Sequence, residues 1–148
     1  MKKWIVVLGM VILLCGSAGN KKNKEVLTGL SDFPDNSFDV STIEKADCDL
    51  GGGRVYTLSD ASHIKDIYHG LMNISVDTAS FEEEVNIDDG DILFCFIDKD
   101  GTEHGIDFLT SEFYYDEGKY YTVRERQKLL ELMDRVMDYY QMEAENGE

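Results

Sequence analysis

Basic residues are scarce in this sequence: 14 lysines and arginines stand against 30 aspartates and glutamates, giving a formal net charge of −16 over 148 residues. This scarcity argues against nucleic-acid binding, because phosphate contacts need clustered Lys and Arg. Proline occurs once, whereas the chain holds 7 Phe, 8 Tyr and 1 Trp. With 43% apolar residues, the composition therefore suits one small globular domain and not a disordered or low-complexity chain.

Long hydrophobic runs, repeats and the common catalytic motifs are also missing. No run reaches the roughly 18–20 apolar residues of a confident membrane span, and no long period recurs. The sequence lacks Cys-x-x-Cys, Gly-x-Ser-x-Gly and His-Glu-x-x-His. His63 and His69, six residues apart, do not share a helix face well enough for zinc. We therefore expect no metal site and no cofactor.

The N-terminus has the layout of a bacterial export signal over residues 1–18. Lys2 and Lys3 precede an apolar stretch at 4–14, and small residues follow at 16–18. A helix over 4–18 would span only about 22 Å at 1.5 Å per residue, less than a hydrocarbon core of roughly 30 Å. We expect this segment to direct export.

The end of this segment resembles the lipobox of bacterial lipoproteins. Ile12, Leu13 and Leu14 precede Cys15, and Gly16-Ser17 follows, although Leu14 stands where the family has a small residue. The resemblance implies that Cys15 is acylated and becomes the mature N-terminus on the outer face of the cell membrane. A cut after Ala18 would instead release a secreted protein, and the sequence leaves that alternative open.

Two cysteines remain in the mature chain under either cut. Cys48 and Cys95 form an even pair in an oxidising compartment, where a disulfide is possible. Such a bond would stabilise the fold by about 4 kcal/mol in the chain-entropy model. Two free thiols, one of them buried in a strand, are the other interpretation.

The mature chain divides into three parts by composition. Residues 19–37 are polar and without sustained periodicity, which predicts a tether. Residues 38–142 are expected to form a single α+β domain, and residues 143–148 an acidic tail. The acylated Cys15 predicts that the membrane itself is a partner, bound through an N-terminal lipid.

Hydrophobic periodicity predicts two helices in this domain. Apolar residues at i, i+3, i+4 and i+7 indicate an amphipathic helix over residues 60–73, with Ser59 as its N-cap. The second helix is expected over residues 124–142, where Thr122 and Glu125 would form a capping box.

Strand and turn signals fill most of the remaining domain. Residues 92–97 are apolar on both faces, which is typical of a central strand. The turn at residues 98–101 favours a bulged hairpin that places Cys95 opposite Gly105 and not opposite His104, so we expect no Cys–His dyad. Further strands are predicted over 54–58, 102–109, 112–115 and 120–123. The predicted fold is an antiparallel meander sheet of about five strands packed by two amphipathic helices.

Four tyrosines cluster around the last predicted hairpin: Tyr114, Tyr115, Tyr120 and Tyr121. Strand alternation would put half of them on the outer face, as a contact surface for a glycan or a protein. Cross-strand packing that only stabilises the hairpin is the alternative.

The turn-rich segments 96–101, 106–109 and 115–121 resemble those of small exported lipoprotein-like domains of unknown function from Gram-positive bacteria. The resemblance implies an envelope location and no activity. We expect a non-enzymatic, lipid-anchored binding or accessory domain whose partner is an envelope protein or glycan. A hydrolase of envelope polymers that uses paired carboxylates, and an acidic protein inhibitor, are the alternatives.

Overall fold

The computed structural model describes residues 27–81 and 90–147. The predicted signal with Cys15, and residues 19–26 of the predicted tether, lie outside the described residues. The strands are β1 (Leu27–Gly29), β2 (Ile43–Leu50), β3 (Val55–Leu58), β4 (Ser75–Phe81), β5 (Asp91–Asp98), β6 (Glu103–Leu109), β7 (Phe113–Asp116) and β8 (Lys119–Val123). The helices are α1 (Ala61–Met72) and α2 (Arg126–Asn146). Neither of these described helices has the length and hydropathy needed to cross a membrane.

The eight strands of the described residues join one antiparallel sheet in the order β1-β4-β8-β7-β6-β5-β2-β3. The α+β class and the two helices are confirmed, but the expected count of about five strands is wrong. Strands β5 to β8 form the predicted meander. The extra strands were missed because β2 (Ile-Glu-Lys-Ala-Asp-Cys-Asp-Leu) and β4 (Ser-Val-Asp-Thr-Ala-Ser-Phe) carry few apolar residues. In a sheet with one packed face, half of each strand can be polar.

The C-terminal part of the predicted tether belongs to the fold. Residues 27–36 form β1 and two 3-10 turns, and Leu30, Phe33 and Asn36 are buried. The Asn36 side-chain amide donates hydrogen bonds to the Leu30 carbonyl at 3.0 Å and to the Tyr114 hydroxyl at 2.9 Å. The assignment to a tether is therefore corrected for residues 27–37. The buried residues of this segment lie in turns and not at the spacing of a helix or a strand, so hydrophobic periodicity could not predict their burial.

Both helices lie close to their predicted positions, but their N-terminal caps differ. The Asp60 carboxylate, and not Ser59, accepts the cap bonds from the backbone N–H groups of Ser62 and His63. Glu125 forms no capping box, because its carboxylate accepts the backbone N–H of Ser75 at 2.8 Å and so joins α2 to β4. Helix α2 continues to Asn146, so residues 143–146 are helical and are not an acidic tail.

The register of the central strands confirms the predicted hairpin and shows to which side of the sheet each cysteine points. Cys95 lies opposite Gly105 across β5 and β6, so the Cys–His dyad is absent, as expected. On the other side of β5, Cys95 pairs with Asp47, whereas Cys48 pairs with Phe94. Since successive side chains alternate between faces, the two thiols point to opposite sides of the sheet. Both cysteines are free, so the Cys48–Cys95 disulfide considered from the sequence does not form.

One face of the sheet carries the hydrophobic core. Buried side chains from seven strands pack against the apolar faces of both helices, with Phe94, Phe96 and Phe108 at the centre of the sheet. Ile64, Ile67 and Leu71 of α1 and Leu129, Leu132 and Val136 of α2 complete this layer. Within the described residues, both helices therefore lie on the same side of the sheet.

Candidate functional site

The face of the sheet opposite the helices, here called the open face, is the strongest candidate for a functional surface. One row of cross-strand neighbours runs across it through Asp49, Leu93, Asp107, Tyr115 and Tyr120. These side chains alternate with core residues along their strands, so the same alternation that buries Phe94 and Phe108 brings this row together. Leu93 and Tyr115 are each 38% exposed.

The structure divides the four predicted contact tyrosines into two pairs. Tyr115 and Tyr120 lie side by side on the open face, with ring centroids 5.2 Å apart. Tyr114 and Tyr121 face the core. There both rings contact the ring of Phe33, with centroid distances of 4.9 and 5.0 Å. Burial raises the pKa of the Tyr114 hydroxyl, which already accepts a hydrogen bond from Asn36. Only Tyr115 and Tyr120 remain candidates for contact with a partner.

A small cavity of about 190 Å³ opens beside this tyrosine pair. It is lined by Asp91, Asp107 and Leu109 together with Tyr115 and Tyr120. Burial, together with the nearby negative charge of Asp91, raises the pKa of the Asp107 carboxyl. Sequence reasoning missed Asp107, although one signal was present: an acid in the middle of the apolar strand segment Ile-Asp-Phe-Leu.

The charge of the open face is strongly one-sided. Strands β2, β5 and β6 place five acids on it, Asp47, Asp49, Asp91, Glu103 and Asp107, against the single base Lys45. Lys45 contacts Asp47 at 3.2 Å, and Thr57 donates a hydrogen bond to the same carboxylate at 2.7 Å. The face therefore combines exposed apolar and aromatic groups with a negative potential, which favours a basic partner.

Two of the three histidines, His63 and His104, have structural partners, whereas His69 is exposed on α1. His63 contacts Glu143 at 2.8 Å and stacks on Tyr139 at 4.0 Å, which fixes the end of α2 against the start of α1. His104 contacts Asp98 at 2.9 Å and stacks on the ring of Phe38. Over residues 27–81 and 90–147, no cluster of three or more His, Cys, Asp or Glu side chains could hold a metal ion.

Comparison of the chain with protein-family models, curated proteins and solved structures finds no match. The resemblance to small exported domains consequently stays a prediction from the residues that carry it.

Proposed function

We propose that this protein is an exported, lipid-anchored, non-enzymatic binding or accessory domain of the bacterial cell envelope, and that it docks a basic partner on its open face. The N-terminal signal pattern and Cys15 support the location. The observation that carries the binding proposal is the row of acids and tyrosines on a sheet face without a described helix.

The open face leaves apolar and aromatic side chains uncovered. A sheet face in a single domain is usually packed or polar, whereas this face exposes Leu93 and Tyr115 among carboxylates. Tyrosine offers a large contact area with few rotatable bonds, and aromatic residues are enriched where proteins meet. Five carboxylates around them attract a basic surface and speed its association.

A binding experiment on the full chain tests this proposal. The tagged chain, extracted in detergent, should retain a saturable basic partner from an envelope extract at about 50 mM salt and release it at about 300 mM, because salt screens exposed charges. The double variant Asp49→Asn/Asp107→Asn should bind that partner about three- to tenfold more weakly, since exposed ion pairs contribute up to about 1 kcal/mol each.

A matched variant separates the open face from net charge alone. Asp134 and Asp138 are exposed on α2, on the helical side of the domain. Asp134→Asn/Asp138→Asn removes the same two charges and should leave the affinity within a factor of two. Equal weakening by both double variants would contradict docking on the open face. Recovery of the native chain from the cytosol with Met1 still attached would overturn the envelope location.

A paired-carboxylate hydrolase of envelope polymers is the second candidate, and the Asp91–Asp107 cavity favours it. Asp91 pairs with Leu109, two residues from Asp107, so the two acids are diagonal neighbours on one face. Both carboxyls line the same cavity, which is the arrangement that a glycosidase with a pair of acids requires. The raised pKa of Asp107 would suit the general acid.

Turnover of an envelope polysaccharide distinguishes this candidate from a binding domain. If it is a hydrolase, the full chain releases reducing ends, and Asp107→Asn lowers the rate by about 100-fold or more. Asp49→Asn, on the same face but outside the cavity, should keep the rate. Absence of release above a buffer control would exclude hydrolysis of that polymer.

A further inference from the structure

A groove lies between α2 and the β2–β3 hairpin, on the helical side of the domain and away from the open face. Its volume of about 460 Å³ falls within the range of roughly 300–1,000 Å³ that is typical of small-molecule sites. Leu130, Met133 and Met137 of α2 form one wall, and Leu50 and Tyr56 of the hairpin strands form part of the other.

The groove exists because α2 is apolar over a wider arc than the core requires. Leu129, Leu132 and Val136 are buried and already fill the interface with the sheet. Leu130, Met133 and Met137 follow at i, i+3 and i+7 on a neighbouring stripe, and Met137 is 39% exposed. Strand β3 pairs with Ala46 to Asp49 of β2 and contributes Tyr56 to the opposite wall of the groove.

Arg54 gives the groove a positive charge of defined position. Its guanidinium lies over the rings of Tyr56 and Tyr140, with its central carbon 4.9 and 5.5 Å from their centroids. No carboxylate among the described residues lies within ion-pair distance of it, in a chain of net charge −16. Stacking on aromatic faces holds a guanidinium in place and leaves its edge N–H groups for a carboxylate.

We propose that this groove binds a single aliphatic chain that ends in a carboxylate. The chain lies against Leu130, Met133 and Met137, and the carboxylate accepts hydrogen bonds from Arg54. Asp134 also lines the groove and opposes the anion, so its charge limits the affinity. This site is independent of the proposed function, because the open face is on the other side of the sheet.

Three small probes test the proposal on the full chain: decanoate, the neutral decanol and acetate. Methyl resonances of methionine report the location, since Met133 and Met137 line the groove whereas Met72 and Met142 do not. Decanoate should shift the Met133 and Met137 signals and bind about fivefold more tightly than decanol, because one exposed ion pair contributes about 1 kcal/mol. Acetate should leave all methionine signals unchanged.

Three variants separate the charge of Arg54 from a general effect. Arg54→Gln should abolish the preference for decanoate over decanol. Asp134→Asn should raise the affinity for decanoate about two- to fivefold. Lys45→Gln removes the same charge from the open face and should change neither affinity. Equal binding of decanoate and decanol by the unchanged protein, or shifts confined to Met72 and Met142, would overturn the proposal.

Discussion

Replacing Phe33 by alanine should lower the free energy of unfolding by about 3–5 kcal/mol, the usual cost of removing a buried phenylalanine ring. The ring packs edge-on against Tyr114 and Tyr121, the two tyrosines of the last hairpin that face the core. Its loss therefore leaves a cavity between the N-terminal segment and strands β7 and β8. Urea denaturation of the full chain, followed by far-ultraviolet circular dichroism, measures this change.

Leu27 provides the control, because it belongs to the same segment but is 49% exposed. Leu27→Ala should change the free energy of unfolding by no more than about 0.5 kcal/mol. Equal and small effects of the two substitutions would mean that residues 27–37 are a tether after all. A large effect of Phe33→Ala alone places this segment in the folded domain.

The same segment shows where sequence reasoning about the fold stops. Strong local signals succeed: the i, i+3, i+4 and i+7 pattern finds α1, and the turn at 98–101 gives the observed register of β5 and β6. The burial of Phe33 and Asn36 depends on distant partners, Tyr114 and Tyr121. Contacts across about 80 residues leave no local period, so only the folded structure identifies them.

The candidate site was also only partly predictable. Alternation correctly expects half of the tyrosines on the outer face, and the structure identifies them as Tyr115 and Tyr120. The apolar neighbours of Asp107 in the sequence hint at its burial, but its raised pKa also depends on Asp91 across the hairpin, which only the folded structure shows. Arg54 was missed for a similar reason, since Tyr140, one of the rings it stacks on, lies in α2.

The Cys95 thiol should be alkylated much faster than the Cys48 thiol. Cys48 is fully buried, and burial raises its thiol pKa from 9.0 to about 12, which lowers the thiolate fraction about 1,000-fold at neutral pH. Cys95 lies partly exposed on the open face, and burial raises its pKa less. Iodoacetamide at about pH 8 should therefore modify Cys95 first, as peptide mapping by mass spectrometry would show.

Unfolding the protein supplies the control for this difference in alkylation rate, because two exposed cysteine thiols are alkylated at similar rates. In about 6 M guanidinium chloride, Cys48 and Cys95 should be alkylated at similar rates.

Reductant should not change the unfolding midpoint of the native protein, whereas loss of a disulfide would remove about 4 kcal/mol. A linked Cys48–Cys95 peptide from the unreduced protein would contradict the register of β2 and β5, since one thiol would have to cross the sheet. That register also fixes which acids share the open face, so the alkylation result bears directly on the binding proposal.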